Sequence, residues 1–325
     1  MAELACKYLE LDLKSPVIVN VSNQDTPLDN LLQIQESGAG AIIVHSLFEE
    51  QLEFEQGRII DFQANSWPGA EDYIRFYSKE NSVENYLQYI ESAKRMLTIP
   101  VFASINCLAA GEWIDRIKSV ETAGADAFEI NIFFFPDDKD FKSDDYEKIY
   151  YDIVTKVAFK LKIPVTVKLG PYFSNLPYII DQIIHRGAKG VNLFNRFFHP
   201  DIDLDSIELT TAQISNSFSD FYQTLRWISI IAASFSNIEI AASLGIFNYE
   251  AVIKLLLAGA NVIGIPNIQN EENYLPSILL GINNWMDQKG FGKIEQFQGQ
   301  LNYSVVQDPF LFERSQFIKN FEKLL

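Results

Sequence analysis

Residues 163–173, IPVTVKLGPYF, contain a short apolar run that ends in a Gly-Pro break and carries one cation, Lys168, near its last position. Five of the six residues from Ile163 to Lys168 are apolar or β-branched, the pattern of a strand covered on both faces, as in a parallel sheet. Such a strand has no use for a charge in its interior. Lysine is almost never buried without a partner, so Lys168 is expected where the strand opens into a pocket, with Gly170-Pro171 turning the chain away. A lysine reaching solvent at a strand end is the competing explanation.

Working outward, helical patterns flank the run: YEKIYYDIVTKVAFKL before it and LPYIIDQIIHRG after it. A helix ending in Gly-Ala and followed by a strand then recurs at SGAGAIIV, AGADAFEINI, RGAKGVNLF and AGANVIGI. Other strands are entered through an Ile-containing step, at IPVFASI, IPVTVKL and IEIAAS. With SPVIVN at the start, strands are predicted near 16–21, 41–45, 100–105, 126–132, 164–169, 189–195, 238–243 and 261–266. The first helix is expected to be capped by Thr26, with proline at its first position. Eight alternations of strand and helix predict an α/β fold, a closed (β/α)8 TIM barrel, as one domain over residues 1–325. The surplus over the roughly 250 residues of such a barrel falls at about 46–82, 133–146 and 196–222, after the second, fourth and sixth strands. Loops after strands lie on the face where barrels carry chemistry. The stretch from FGKIEQFQGQLNY onward reads as a mostly helical C-terminal extension.

Composition narrows the functional classes. The 325 residues are 48% apolar and carry a net charge of −17, which disfavours nucleic acid and anionic membranes as partners. No apolar run is long enough to span a bilayer, and MAELACKYLELDLK lacks the apolar core of a signal peptide, so a cytoplasmic location is expected. Cys6 and Cys107 stand far apart and the three histidines form no two-histidine motif, which leaves metal and iron-sulfur sites unsupported.

Polar residues gather at the predicted strand ends: Asn20, Ser22, His45, Ser46, Ser104, Asn106, Asn131, Lys168, Asn192, Asn195 and Ser243. A ring of amides with one lysine suits a flat, heteroatom-rich ligand better than a metal ion. A phosphate in this fold is normally held by the loops after strands seven and eight, here Ser243-Leu244-Gly245 and Ile265-Pro266-Asn267. Pro266 brings no N–H to that task.

On these residues the chain resembles the dihydroorotate dehydrogenase family, in particular its dihydroorotate dehydrogenase-like subgroup. The resemblance rests on HSLFEEQ, ADAFEINIFFFP, VKLGPYFSN, VNLFNRFFHPDIDL and LLLAGANVIGIPNI. It implies FMN as cofactor, oxidation of a dihydropyrimidine-like small molecule, and a homodimer, with electrons leaving to a soluble acceptor. It assigns Lys168 to the flavin, Asn131 and Asn195 to substrate or flavin amides, and Ser243, Leu244, Gly245 and Asn267 to the phosphate. Ser22, Ser46, Asn106 and Asn192 become flavin neighbours. The chain also departs from the family pattern. No Cys or Ser lies between Asn131 and Lys142 to serve as base, and His45 replaces the lysine expected after the second strand. His45, Asp137 or Asp138 would then have to take the proton. Two rival readings are a cofactor-poor barrel acting as a scaffold and a lyase with Lys168 as Schiff base.

Overall fold

The computed structural model describes residues 2–21, 23–55, 82–111, 113–134, 138–196, 200–211, 218–267 and 273–322. The strands are β1 (Cys6–Tyr8), β2 (Leu11–Leu13), β3 (Val17–Asn20), β4 (Ala41–Phe48), β5 (Val101–Cys107), β6 (Ala127–Ile132), β7 (Val165–Leu169), β8 (Gly190–Leu193), β9 (Pro200–Asp203), β10 (Glu208–Thr211), β11 (Glu239–Ala242) and β12 (Val262–Pro266). The described helices are α1 (Leu28–Glu36), α2 (Glu49–Glu55), α3 (Ser82–Met96), α4 (Trp113–Arg116), α5 (Lys118–Thr122), α6 (Ser143–Lys160), α7 (Leu176–His185), α8 (Phe218–Ser234), α9 (Tyr249–Ala258), α10 (Tyr274–Lys289) and α11 (Pro309–Glu322).

Strands β3 to β8 followed by β11 and β12 close into a parallel eight-stranded barrel, as the alternation predicts. Alternation along each strand divides the core in two. Val17, Val19, Ile130, Val167 and Ile263 face outward into the layer beneath the helices. Ile18, Ala41, Ile43, Phe102, Ala127, Ala241 and Val262 face inward and fill the lower barrel. Each strand is buried on both faces and so largely apolar, and most inward polar residues lie toward the C-terminal ends, with Thr166 and Glu239 as exceptions that meet the floor.

An element missing from the predicted set closes the bottom. β1 and β2 form an antiparallel hairpin whose Tyr8, Leu9 and Leu13 pack into the inner cluster. Tyr8 shares a 3.2 Å hydroxyl–hydroxyl hydrogen bond with Thr166 of β7, and the Leu9 N–H donates to the Glu239 carboxylate. The two turn residues, Leu9 and Glu10, hold φ of 53° and 64°, a left-handed conformation normally given to Gly or Asn. Burial of Leu9 to 1% exposure offsets that strain.

Other details differ from expectation. Thr26 does not cap α1; its hydroxyl donates to the Asn23 carbonyl at 2.8 Å, and no side chain caps that helix. The segment after β8 folds into an antiparallel hairpin, β9 with β10, and α8 begins at Phe218, inside the span expected to be loop. The C-terminal extension holds short 3-10 turns at Ile294–Gln296 and Tyr303–Val305 before α11.

Candidate active site

Register aligns the inward polar residues in two levels. Toward the C-terminal mouth, Asn106 pairs with Asn131, Asn131 with Lys168 and Lys168 with Asn192, a continuous row across β5 to β8. One level deeper lie Ser46, Ser104, Glu129, Thr166 and Gly190, again in register from β4 to β8. Among the described residues, the ionisable side chains of these two rows are Lys168 and Glu129.

The levels are tied together by hydrogen bonds. Glu129, 2% exposed, accepts from Asn192 Nδ2 at 2.7 Å, and its other oxygen lies 3.9 Å from Lys168 Nζ. Asn195 Nδ2 donates to Asn131 Oδ1 at 2.8 Å, so these two predicted amides do meet. Ser46 and Ser104 join hydroxyls at 2.8 Å. Asn20 Oδ1 and Asn192 Oδ1 are buried acceptors that receive no hydrogen bond from the described residues. Buried polar atoms are normally paired, so two orphaned acceptors at one mouth point to donors supplied by a ligand.

His45 lies elsewhere. The β4–β5 register shifts between Ile43 and Ser46, so that Ser46, not His45, continues the inward face. The His45 ring packs instead against Tyr86 and Tyr89 of α3, at centroid distances of 5.1 and 5.4 Å. Opposite the bulge, the buried Tyr86 hydroxyl accepts from the Ser104 N–H at 2.8 Å and donates to the Ser104 carbonyl at 3.0 Å. Asp138 is exposed and accepts from the Asp140 N–H at 2.9 Å in the turn before α6. Asp137 and Ser22 lie outside the described residues.

At the expected phosphate loops, part of the donor set is already used. The Ser243 N–H bonds the Leu193 carbonyl at 3.0 Å, its hydroxyl donates to the Phe194 carbonyl at 3.1 Å, and the Asn267 N–H bonds the Asn20 carbonyl at 3.0 Å. The Leu244 side chain is buried. Gly245 has φ of 77°, and a Cβ there would lie 2.3 Å from the Phe221 backbone nitrogen. Its missing side chain therefore admits the first turn of α8. At Gly264 a Cβ would come within 2.9 Å of Asn20 Nδ2 and 3.3 Å of Ser243 Cβ, so the glycine makes room for these two side chains. Beside the mouth, Phe134, Tyr146, Tyr150, Tyr172 and Phe173 line a cleft of about 230 Å³. No group of three metal-ligating side chains occurs among the described residues.

Glu129 is the site residue that the strand-end survey passes over. The signal was present: in AFEINI the alternation sets Ala127, Glu129 and Asn131 on one face and three large apolar residues on the other. A carboxylate between two inward positions requires an internal partner.

A parallel eight-stranded barrel with a polar C-terminal mouth defines the broad class, an α/β barrel of the kind that houses enzymes. Comparison with known proteins is more specific. No family model matches the chain. A putative dihydroorotate dehydrogenase A (fumarate) of Aeropyrum pernix is 27% identical over 211 residues, 62% of this chain and 67% of that protein. The catalytic subunit of a dihydroorotate dehydrogenase B (NAD(+)) of Saccharolobus solfataricus is 26% identical over 215 residues, 64% and 72% of the two chains. The corresponding subunit of Thermoplasma acidophilum is 22% identical over 311 residues, 92% of this chain and 99% of its own. The chain is thus similar, at 22–27% identity, to proteins named as dihydroorotate dehydrogenases.

Proposed function

We propose that the protein is an FMN-dependent oxidoreductase of the dihydroorotate dehydrogenase type, acting on a dihydropyrimidine-like ring. The observation that carries this is the row Asn106, Asn131, Lys168 and Asn192, with one cation and a buried unsatisfied acceptor at the barrel mouth. When bound, FMN supplies the two-electron acceptor. Lys168 offsets the negative charge that a flavin ring gains on reduction. Asn20 and Asn192 offer acceptors to its N–H edge, and Asn131 and Asn195, held together at 2.8 Å, orient the amides of the substrate. The phosphate relies on Leu244 and Gly245, since the Ser243 and Asn267 N–H groups are committed within the barrel. Binding looser than in relatives with a fuller donor set follows.

Neither His45 nor Asp138 stands in the two inward rows, and a well-placed base contributes typically 10²–10⁴-fold. Dihydroorotate itself is therefore expected to turn over slowly. A cytoplasmic homodimer passing electrons to a soluble acceptor completes the reading. The β9–β10 hairpin, with Ile202, Leu204, Ile207 and Leu209 between 59% and 86% exposed, is the surface we assign to the dimer, and sedimentation velocity tests it.

The packing of Gly245 on α8 and the burial of Leu244 favour a second reading, a barrel that has lost its cofactor and acts as a scaffold. Titration with FMN separates the two. The flavoprotein reading expects a yellow protein, quenched flavin fluorescence and a rise in melting temperature, with slow anaerobic bleaching by dihydroorotate. A colourless protein whose melting temperature FMN leaves unchanged refutes it.

A further inference from the structure

Glu129 is held by the site but has no part in the chemistry above. It lies directly below the mouth, with Asn131 two residues on along β6 and Thr166 beside it on β7. An ionised carboxylate is an acceptor only. It can therefore receive just the Nδ2 of Asn192, which it does at 2.7 Å. That bond decides the orientation of the amide: with Nδ2 committed downward, Oδ1 is the atom left over, and it is the buried acceptor without a partner among the described residues. The second carboxylate oxygen lies 3.9 Å from Lys168 Nζ, with side-chain exposures of 16% for the lysine and 3% for the glutamate.

We propose that Glu129 is a positioning residue with two effects on whatever occupies the mouth. Through Asn192 it presents an acceptor, which selects a ligand edge bearing an N–H, as in an imide or cyclic amide. Through Lys168 it partly neutralises the cation, which limits how strongly the site favours an anionic ring over a neutral one. This rests on the flavin reading, and it adds that the site is tempered: the same lysine that stabilises the reduced ring is held in check from below.

The test is Glu129→Gln, which preserves shape and removes the charge. Gln can donate as well as accept, so Asn192 is no longer forced to present Oδ1. Oxidised FMN should bind several-fold more weakly by fluorescence quenching. The ratio of affinities for reduced over oxidised FMN should rise about tenfold as Lys168 is released, a shift of the midpoint potential of about +30 mV for two electrons. In a Lys168→Met background the same substitution should leave the potential unchanged, because the effect runs through the lysine. A merely structural glutamate would change stability and leave the potential where it was. Should Glu129→Gln not fold, Glu129→Asp keeps the charge and shortens the reach to Asn192, and should weaken FMN binding with little shift in potential. If wild type binds FMN and the variants match it in affinity and potential, the proposal is wrong and the flavin reading stands. If wild type binds no FMN, both fall together.

Discussion

Gly245 and Gly290 have the same backbone angle, φ of 77°, in different surroundings. At Gly290, which ends α10, a Cβ would meet nothing within 4 Å; at Gly245 it would lie 2.3 Å from the Phe221 nitrogen and 2.5 Å from its Cα. Gly290→Ala therefore measures the left-handed backbone cost alone, about 1–2 kcal/mol. Gly245→Ala adds an overlap with helix backbone that no rotamer change relieves, and overpacking of this kind costs about 1–3 kcal/mol. The sums are about 1–2 and about 2–5 kcal/mol. At roughly 2 °C per kcal/mol for a chain of this length, the ligand-free protein should lose about 2–4 °C at Gly290→Ala and about 4–10 °C at Gly245→Ala. Thermal unfolding followed by circular dichroism reads both. Equal losses at the two positions would show that α8 does not seat on Gly245, and a deficit confined to FMN binding would leave the phosphate as that glycine's sole role.

Tyr86→Phe should cost about 2–4 kcal/mol in urea unfolding, because the buried hydroxyl serves both the N–H and the carbonyl of Ser104 and two buried backbone groups lose their partner. Burial raises the Cys6 thiol to about 12 and the Cys107 thiol well above its ordinary value, so a thiol reagent should label neither in the native protein and both in denaturant. Burial, and then the neighbouring Glu10 charge, raise the Glu239 carboxyl in the folded state. The folded protein then holds that proton more tightly than the unfolded chain. The resulting stabilisation is complete below the unfolded value and lost as pH rises through the folded one. Glu239→Gln lacks this loss, so its melting temperature should gain on wild type as pH rises from about 4 toward 7.

The barrel was legible because its signals are local and repeated. Gly-Ala followed by an apolar run marked the starts of β4, β6, β8 and β12, and the Ile-containing steps those of β5, β7 and β11, each to within a residue or two. The Asn131–Asn195 contact and the Lys168 row were also accessible, since both follow from strand-end position in a parallel register. What failed depends on departures from period two or on partners far away. One extra residue in β4 turned His45 from the mouth to α3, and nothing in AIIVHS marks a bulge. The β1–β2 turn uses Leu9-Glu10 where a hairpin signal would be Asn-Gly, so scattered charges hid it. At Gly245 the sequence does not separate two demands, because a close approach by helix backbone, here that of Phe221, and one by an anion call for the same residue.

The hairpin that stops the barrel floor has a consequence for the order in which the molecule assembles. Tyr8 meets Thr166 across 158 residues, and Leu9 meets Glu239 across 230. Contacts so distant close long loops, and their entropy must be lost before any stabilisation is gained. The neighbouring strand pairs and their crossover helices are far more local. The first strands made are thus among the last to be seated, and until they are, the inner side chains at the barrel floor lack their cover, with Cys6 in β1 still within reach of a thiol label after Cys107 in β5 has been sealed.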